Sequence, residues 1–297
     1  MTKIFQGSAV ALCTPMNEDG SVNYEQYANL VEHTISGGVK ALVVNGTTGE
    51  ASTLKVEEEH ELIKLAVKVN KGRVPIICGT GSNDTAHAII ESLAAKELGA
   101  DALLVVTPYY NKSSQRGLIA HFNAIANAAK LPIILYNIPG RTGVNMAVDT
   151  VVELAKNPYI VGIKEASGNF DYVMQILSRM QGQDFAVYSG EDALILPMIA
   201  AGGDGVISVL SNVYPRETQL LCDLAFEGKR EEAAKLSNAF NPVVKGLFAD
   251  VNPIPVKAAL KQKGICDEYY RLPLIATTDT VRNGLLKAMA DFEAKGF

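Results

Sequence analysis

Eight short apolar runs rich in β-formers recur along the chain, and they constrain its fold more than any other feature. They cover residues 8–14, 41–44, 74–79, 102–107, 133–137, 160–165, 185–189 and 205–209. Their starts lie roughly 20–35 residues apart, the length of one strand–helix unit. Amphipathic stretches fill the gaps. Residues 57–69 carry Leu62, Ile63, Leu65, Ala66 and Val69 at helical spacing, and 85–98 carry Ala88, Ile89, Leu93 and Leu98. Helices are also predicted over 24–35, 117–129, 147–155, 172–180, 192–201 and 214–226. Asn83-Asp84 and Pro215 with Glu217 supply helix starts, and Gly37, Gly72 and Gly99 suit helix ends.

Eight alternating units predict an α/β fold of the (β/α)₈ TIM-barrel type. An open doubly wound sheet would call for GxGxxG after the first strand, but that strand ends Leu12-Cys13-Thr14-Pro15. Strand-like runs stop after residue 226, and 231–248, 255–263 and 280–295 read as helices. The predicted organisation is a barrel catalytic domain over 1–226 with a C-terminal helical extension over 227–297 packed on it.

The 297 residues are 48% hydrophobic and 20% charged, so a large core is expected and general disorder is not. Net charge is −5, with no basic block of the kind that binds nucleic acid. No apolar run reaches membrane-spanning length, and the start of the chain, residues 1–7, is too short in apolar residues for a signal peptide. Cys13, Cys78, Cys222 and Cys266 show no CxxC spacing, which fits a reducing cytoplasm. His33, His60, His87 and His121 all fall on predicted helices without metal-ligand spacing, so no metal site is expected.

In a barrel the chemistry sits where strands end and βα-loops begin. The sixth run ends Ile163-Lys164-Glu165-Ala166, which places Lys164 inside a strand that should be buried. An ordinary lysine amine titrates near ~10.4, so at pH 7 only about one in 2,500 is an uncharged nucleophile. Low-dielectric surroundings disfavour the ammonium, and such an amine can attack a carbonyl to form a Schiff base. The same pattern also fits a lysine at a strand edge whose stem snorkels to solvent. Tyr136 ends the preceding strand, so the two are barrel neighbours, and a phenol there could relay protons to a carbinolamine. A core tyrosine with its hydroxyl reaching water fits as well.

The second strand ends Asn45-Gly46-Thr47-Thr48-Gly49-Glu50. Its backbone N–H and hydroxyl groups could face an anion, or Thr47 and Glu50 could form a capping box. The fourth ends Thr107-Pro108-Tyr109-Tyr110-Asn111. The fifth runs into Gly140-Arg141-Thr142-Gly143, whose planar guanidinium suits a carboxylate or an exposed loop equally. Gly202-Gly203-Asp204-Gly205 precedes a strand, the wrong end for phosphate, and reads as close packing.

Taken together these motifs resemble the pyruvate-dependent lyase family that includes N-acetylneuraminate lyase and dihydrodipicolinate synthase. Ser189-Gly190-Glu191-Asp192, Gly205-Val206-Ile207-Ser208 and Asn252-Pro253-Ile254-Pro255-Val256-Lys257 extend the resemblance beyond residue 250. Thr47-Thr48 and Arg141 resemble its synthase branch; the neuraminate lyases usually have serine before the threonine and no matching arginine.

The resemblance implies condensation of pyruvate with L-aspartate-4-semialdehyde through a covalent imine on Lys164, with no other cofactor. It implies Tyr136 as central acid/base, in a relay with Thr48 and with Tyr110 from a neighbouring subunit. It further implies that Thr47 and Thr48 hold the pyruvate carboxylate and that Arg141 holds the semialdehyde carboxylate. Gly190 and Ile207, the latter by its carbonyl, would line the pocket. The implied assembly is a homotetramer, a dimer of dimers, and another Schiff-base lyase of the family is the alternative activity.

Many synthases of this family are inhibited by lysine at a subunit-interface cleft. The sequence keeps matching residues at Asn83 and Tyr109 but has Val56 and Glu59 where two histidines would be, and His87 in place of a glutamate. Weak or absent lysine inhibition is therefore expected.

Overall fold

A computed structural model describes residues 3–297. Met1 and Thr2, at the start of the stretch read against a signal peptide, lie outside the described residues. Eight parallel strands close into a barrel: β1 (Gly7–Ala11), β2 (Ala41–Val44), β3 (Ile76–Gly79), β4 (Ala102–Val106), β5 (Ile133–Asn137), β6 (Ile160–Glu165), β7 (Ala186–Ser189) and β8 (Gly205–Ser208). Sequential strands pair, and β8 returns to β1. This is the (β/α)₈ architecture that the alternation predicts.

The helices follow in turn: α1 (Tyr24–Ser36), α2 (Val56–Asn70), α3 (Thr85–Glu97), α4 (Gln115–Ala129), α5 (Pro139–Thr142), α6 (Val148–Leu154), α7 (Phe170–Met180), α8 (Ile195–Ala200) and α9 (Pro215–Phe226). Beyond the barrel lie α10 (Arg230–Leu247), α11 (Ile254–Gln262) and α12 (Asp279–Glu293). Helix ends fall within three residues of expectation, several of them at the expected residue, and residues 192–194 form a 3₁₀ turn ahead of α8. The short α5, which carries Arg141, was not expected. Proline at its first position and Gly143 at φ 69° just past its end start and stop it. Among the described residues no helix is long and apolar enough to cross a membrane.

Two apolar layers hold the barrel. Outward side chains such as Val10, Leu42, Leu103 and Ile163 pack under the helices, as do Tyr27, Leu30 and Val31 of α1. A buried leucine such as Leu30 contributes about 1.5–3 kcal/mol by leaving water. Inward side chains are fewer and include Ala9, Ile77, Leu104, Ile134, Tyr136, Tyr188 and Ile207. Phe5 closes the lower end, stacked on Tyr188 at 4.1 Å.

The Gly205 position shows why that lower end needs glycine: φ is 137°, and a Cβ would lie 1.9 Å from the Gly7 carbonyl oxygen. Asp204 accepts from the Val187 N–H and pairs with Lys3. The glycine run is thus close packing.

One irregularity aims the site. Along β5–β6 the register runs Ile133↔Ile160, then Ile134↔Gly162, so β6 carries one extra residue at Val161. Ile160 and Ile163, three apart, both face the helices. Strict alternation would have turned Lys164 outward with Ile160. The bulge shifts the phase and points Lys164 into the barrel mouth, in register with Tyr136 and Tyr188.

Candidate active site

Lys164 and Tyr136 stand on adjacent strand ends, with Lys164 Nζ 4.3 Å from the Tyr136 ring centroid. Both are buried, 7% and 6% exposed. No carboxylate lies within ion-pair distance of Lys164 Nζ among the described residues. A buried lysine ordinarily has a partner. Gly190, after β7, leaves room for this one: a Cβ there would lie 3.1 Å from Lys164 Cε and 2.6 Å from Ala166 Cβ.

Thr47–Gly49 forms a 3₁₀ turn at the end of β2. The alternative capping box is absent: Gly46 occupies the cap position without a side-chain bond, and the Glu50 carboxylate turns away to Lys257. An acidic side chain with a buried cation to meet leaves the loop's own N–H groups uncapped. Thr47 lies exposed at the mouth, and Thr48 is buried, its hydroxyl accepting from Asn252 Nδ2 at 3.0 Å. Arg141 lies exposed over the mouth and donates from Nη2 to the Asn252 carbonyl at 3.2 Å.

The structure thus brings Lys164, Tyr136 and Gly190 together, and ties Thr48 to Arg141 through Asn252. Ile207 is buried on β8 among the inward side chains. Tyr110 stands apart, 92% exposed at φ 70°. Within one chain no hydrogen bond links Tyr136, Thr48 and Tyr110 among the described residues.

Two further groups frame the site. Asp192 is fully buried and accepts from the Val209 and Leu210 N–H groups, fixing the end of β8. Burial pushes its carboxyl up, against the pull of Ser208, those N–H groups and the Lys164 charge. Glu165 faces the opposite side of β6 from Lys164, accepting from Asn137 Nδ2 and the Ser167 N–H. Burial raises its carboxyl too.

The sequence places Asn252, Lys257 and Asp192 in matching motifs, but the role of each was missed. A lysine at the centre of the apolar stretch Ile254–Leu260 was the available signal for Lys257.

Beside Tyr136 and Thr47 a cleft of about 380 Å³ opens, lined also by Val56, Glu59, His87 and Tyr109. His60 meets Glu91 at 3.0 Å in its wall. Burial, then the neighbouring Glu91 charge, pushes the Glu59 carboxyl up to about 7.

The sequence profile of the Dihydrodipicolinate synthetase family matches residues 4–291. A 4-hydroxy-tetrahydrodipicolinate synthase from Exiguobacterium sibiricum is 46% identical over 98% of this chain and 99% of its own. The dihydrodipicolinate synthase of Acinetobacter baumannii, solved with pyruvate, superposes with a TM-score of 0.95 at 45% identity, covering 98% of this chain and 99% of that one. A monomeric dihydrodipicolinate synthase variant superposes at 0.96 and 39% identity, covering 98% and 97%. Profile, identity and fold agree over nearly the whole length: the chain belongs to the dihydrodipicolinate synthetase family.

Proposed function

We propose that the chain is a 4-hydroxy-tetrahydrodipicolinate synthase, condensing pyruvate with L-aspartate-4-semialdehyde in diaminopimelate and lysine biosynthesis, a cytoplasmic activity. One observation carries the reading: a lysine amine buried at a strand end, beside a phenol and, among the described residues, without a carboxylate in ion-pair distance.

The uncharged Lys164 amine attacks the keto carbon of pyruvate, and the carbinolamine loses water to give an imine. Tyr136 supplies and takes back the protons. Loss of a methyl proton gives an enamine, whose carbon attacks the semialdehyde carbonyl. The substrate's own amine then displaces Lys164 as the ring closes, which regenerates the enzyme. The imine is the only electron sink this chemistry requires, so no metal or other cofactor takes part.

Thr47 and Thr48 hold the pyruvate carboxylate at the 3₁₀ turn. Arg141 meets the semialdehyde carboxylate with its guanidinium fork. Gly190 and Ile207 bound the space around the reacting carbon. Tyr110 completes the proton relay from a neighbouring subunit; its near-total exposure within one chain supports that arrangement. The working form is a homotetramer, a dimer of dimers.

The test is a coupled assay of pyruvate with L-aspartate-4-semialdehyde, run beside N-acetylneuraminate. Turnover of the first pair alone supports the reading. Cleavage of N-acetylneuraminate without condensation would assign the chain to the other branch of the family.

A further inference from the structure

The chain holds a second buried lysine amine that the condensation does not use. Lys257, in α11, is 0% exposed and pairs with Glu50, whose side chain is 1% exposed. Its Nζ also donates to the Tyr269 carbonyl at 2.8 Å and lies 5.2 Å from the Tyr270 ring centroid. The amine is therefore boxed in and has no path to a substrate.

Glu50 is the residue on which the threonine loop turns. It ends the Thr47–Gly49 turn and caps the next turn, Ala51–Thr53, in the left-handed conformation at φ 58°. That backbone is unfavourable for a residue with a Cβ and persists only where the surroundings impose it. Its N–H donates to the Thr47 carbonyl at 3.1 Å, and its own carbonyl accepts from the Thr53 N–H at 3.0 Å. On the barrel side, Thr14 Oγ1 donates to the Gly49 carbonyl at 2.7 Å.

The C-terminal extension grips the same loop at three points. The Asn252 side chain holds the Thr48 hydroxyl, and Lys257 holds Glu50. Arg271 donates to the Thr53 carbonyl at 2.7 Å and to Glu58. Of these three, only the Glu50–Lys257 contact is an ion pair shut away from water on both sides. A buried pair is a poor source of net stability, since apolar residues of similar size often serve as well or better. It is a strong source of geometric constraint, because neither charge can move away from the other without being left unpaired.

We infer that Glu50 and Lys257 are a positioning pair for the pyruvate carboxylate: they lock the turn that presents Thr47 and Thr48. The inference rests on the proposed condensation. It gives the helical extension a part in substrate binding, which the barrel strands alone do not complete.

The test uses the full-length protein as wild type, Glu50→Gln, Lys257→Met and the double variant. Tm and the KM values for pyruvate and for the semialdehyde are measured for each. Lys257→Met leaves a buried carboxylate unpaired and can fail to fold. The double variant removes both charges at similar volume, and Glu50→Gln gives an independent reading.

The expected result for the double variant is a Tm at or above wild type, with KM for pyruvate raised about 10- to 100-fold and KM for the semialdehyde unchanged. A pyruvate KM equal to wild type would reduce the pair to a fold support and overturn the inference. So would an equal rise in both KM values. Borohydride trapping of pyruvate on the wild type is run alongside. A wild type that traps none overturns the proposed condensation as well; one that traps it with KM unmoved in the variants overturns this inference alone.

Discussion

Lys164 meets Tyr136 across the β5–β6 pair with its nitrogen 4.3 Å from the phenol ring, an approach set by the extra residue at Val161. The amine is thereby held at the mouth of the barrel, against a group that can exchange protons with it. Gly190, just past the end of the next strand, keeps the space behind it open.

Gly190→Ala tests that space. The new methyl would sit 2.6 Å from Ala166 Cβ and 3.1 Å from Lys164 Cε, inside normal contact. Overpacking of this kind costs about 1–3 kcal/mol, and part is relieved by moving the lysine. A displaced nucleophile slows imine formation by about 10- to 100-fold. Borohydride inactivation in the presence of pyruvate measures that rate; trapping at the wild-type rate with a lowered Tm would make Gly190 a packing residue only.

Arg141→Ala should act on the second substrate. It removes a charge-assisted contact worth on the order of 1.5–3 kcal/mol, or about 10- to 150-fold in kcat/KM for the semialdehyde. Imine formation with pyruvate should largely survive. Equal loss of both steps would show that the bond from Arg141 to the Asn252 carbonyl is what the variant breaks.

The Glu59 carboxyl, raised to about 7 by burial and by Glu91, gives a pH-dependent stability. Its unfolded value is about 4.3. Between those two values the folded protein keeps a proton that the unfolded chain has released, so stability falls as pH rises through the window. Glu59→Gln removes the penalty. At pH ~8 the variant should be more stable by about 1–2 kcal/mol, allowing for partial exposure, and the gap should narrow as pH falls toward ~5. Urea unfolding at both pH values decides; a constant gap would contradict the titration.

How much was legible in the sequence depended on distance along the chain. The strands were readable because a continuous apolar run needs no partner to be recognised, and the helices because their faces repeat every 3.6 residues. The strand-end motifs followed from the barrel once the count reached eight. The inward aim of Lys164 was not legible, since a bulge leaves no composition signal. Nor was the link from Thr48 to Asn252, which spans 204 positions and forms only after the extension packs. Glu50 looked like a capping residue because its true partner, Lys257, lies in another element. Tyr110 is the opposite case: its motif was readable, but one chain leaves its side chain in solvent.

Lysine should inhibit weakly. The cleft beside the site offers Val56, Glu59 and His87; its other carboxylate, Glu91, is already met by His60, and at neutral pH Glu59 is only partly ionised. An ammonium placed there lacks a full carboxylate partner, and each ~1.4 kcal/mol of deficit is tenfold in affinity. Initial rates should change little at millimolar lysine. Saturable inhibition at or below roughly 1 mM, about −4 kcal/mol of binding, would mean the cleft has reorganised around Glu59.

The central claim is that Lys164 is the nucleophile, and its most direct measurement is borohydride reduction in the presence of pyruvate, followed by mass analysis of the protein and its peptides. The predicted result is one pyruvate-derived mass per chain, on the peptide carrying Lys164, and none on Lys164→Arg, whose guanidinium stays charged. A label on another lysine, Lys257 included, or no label at all, would contradict it.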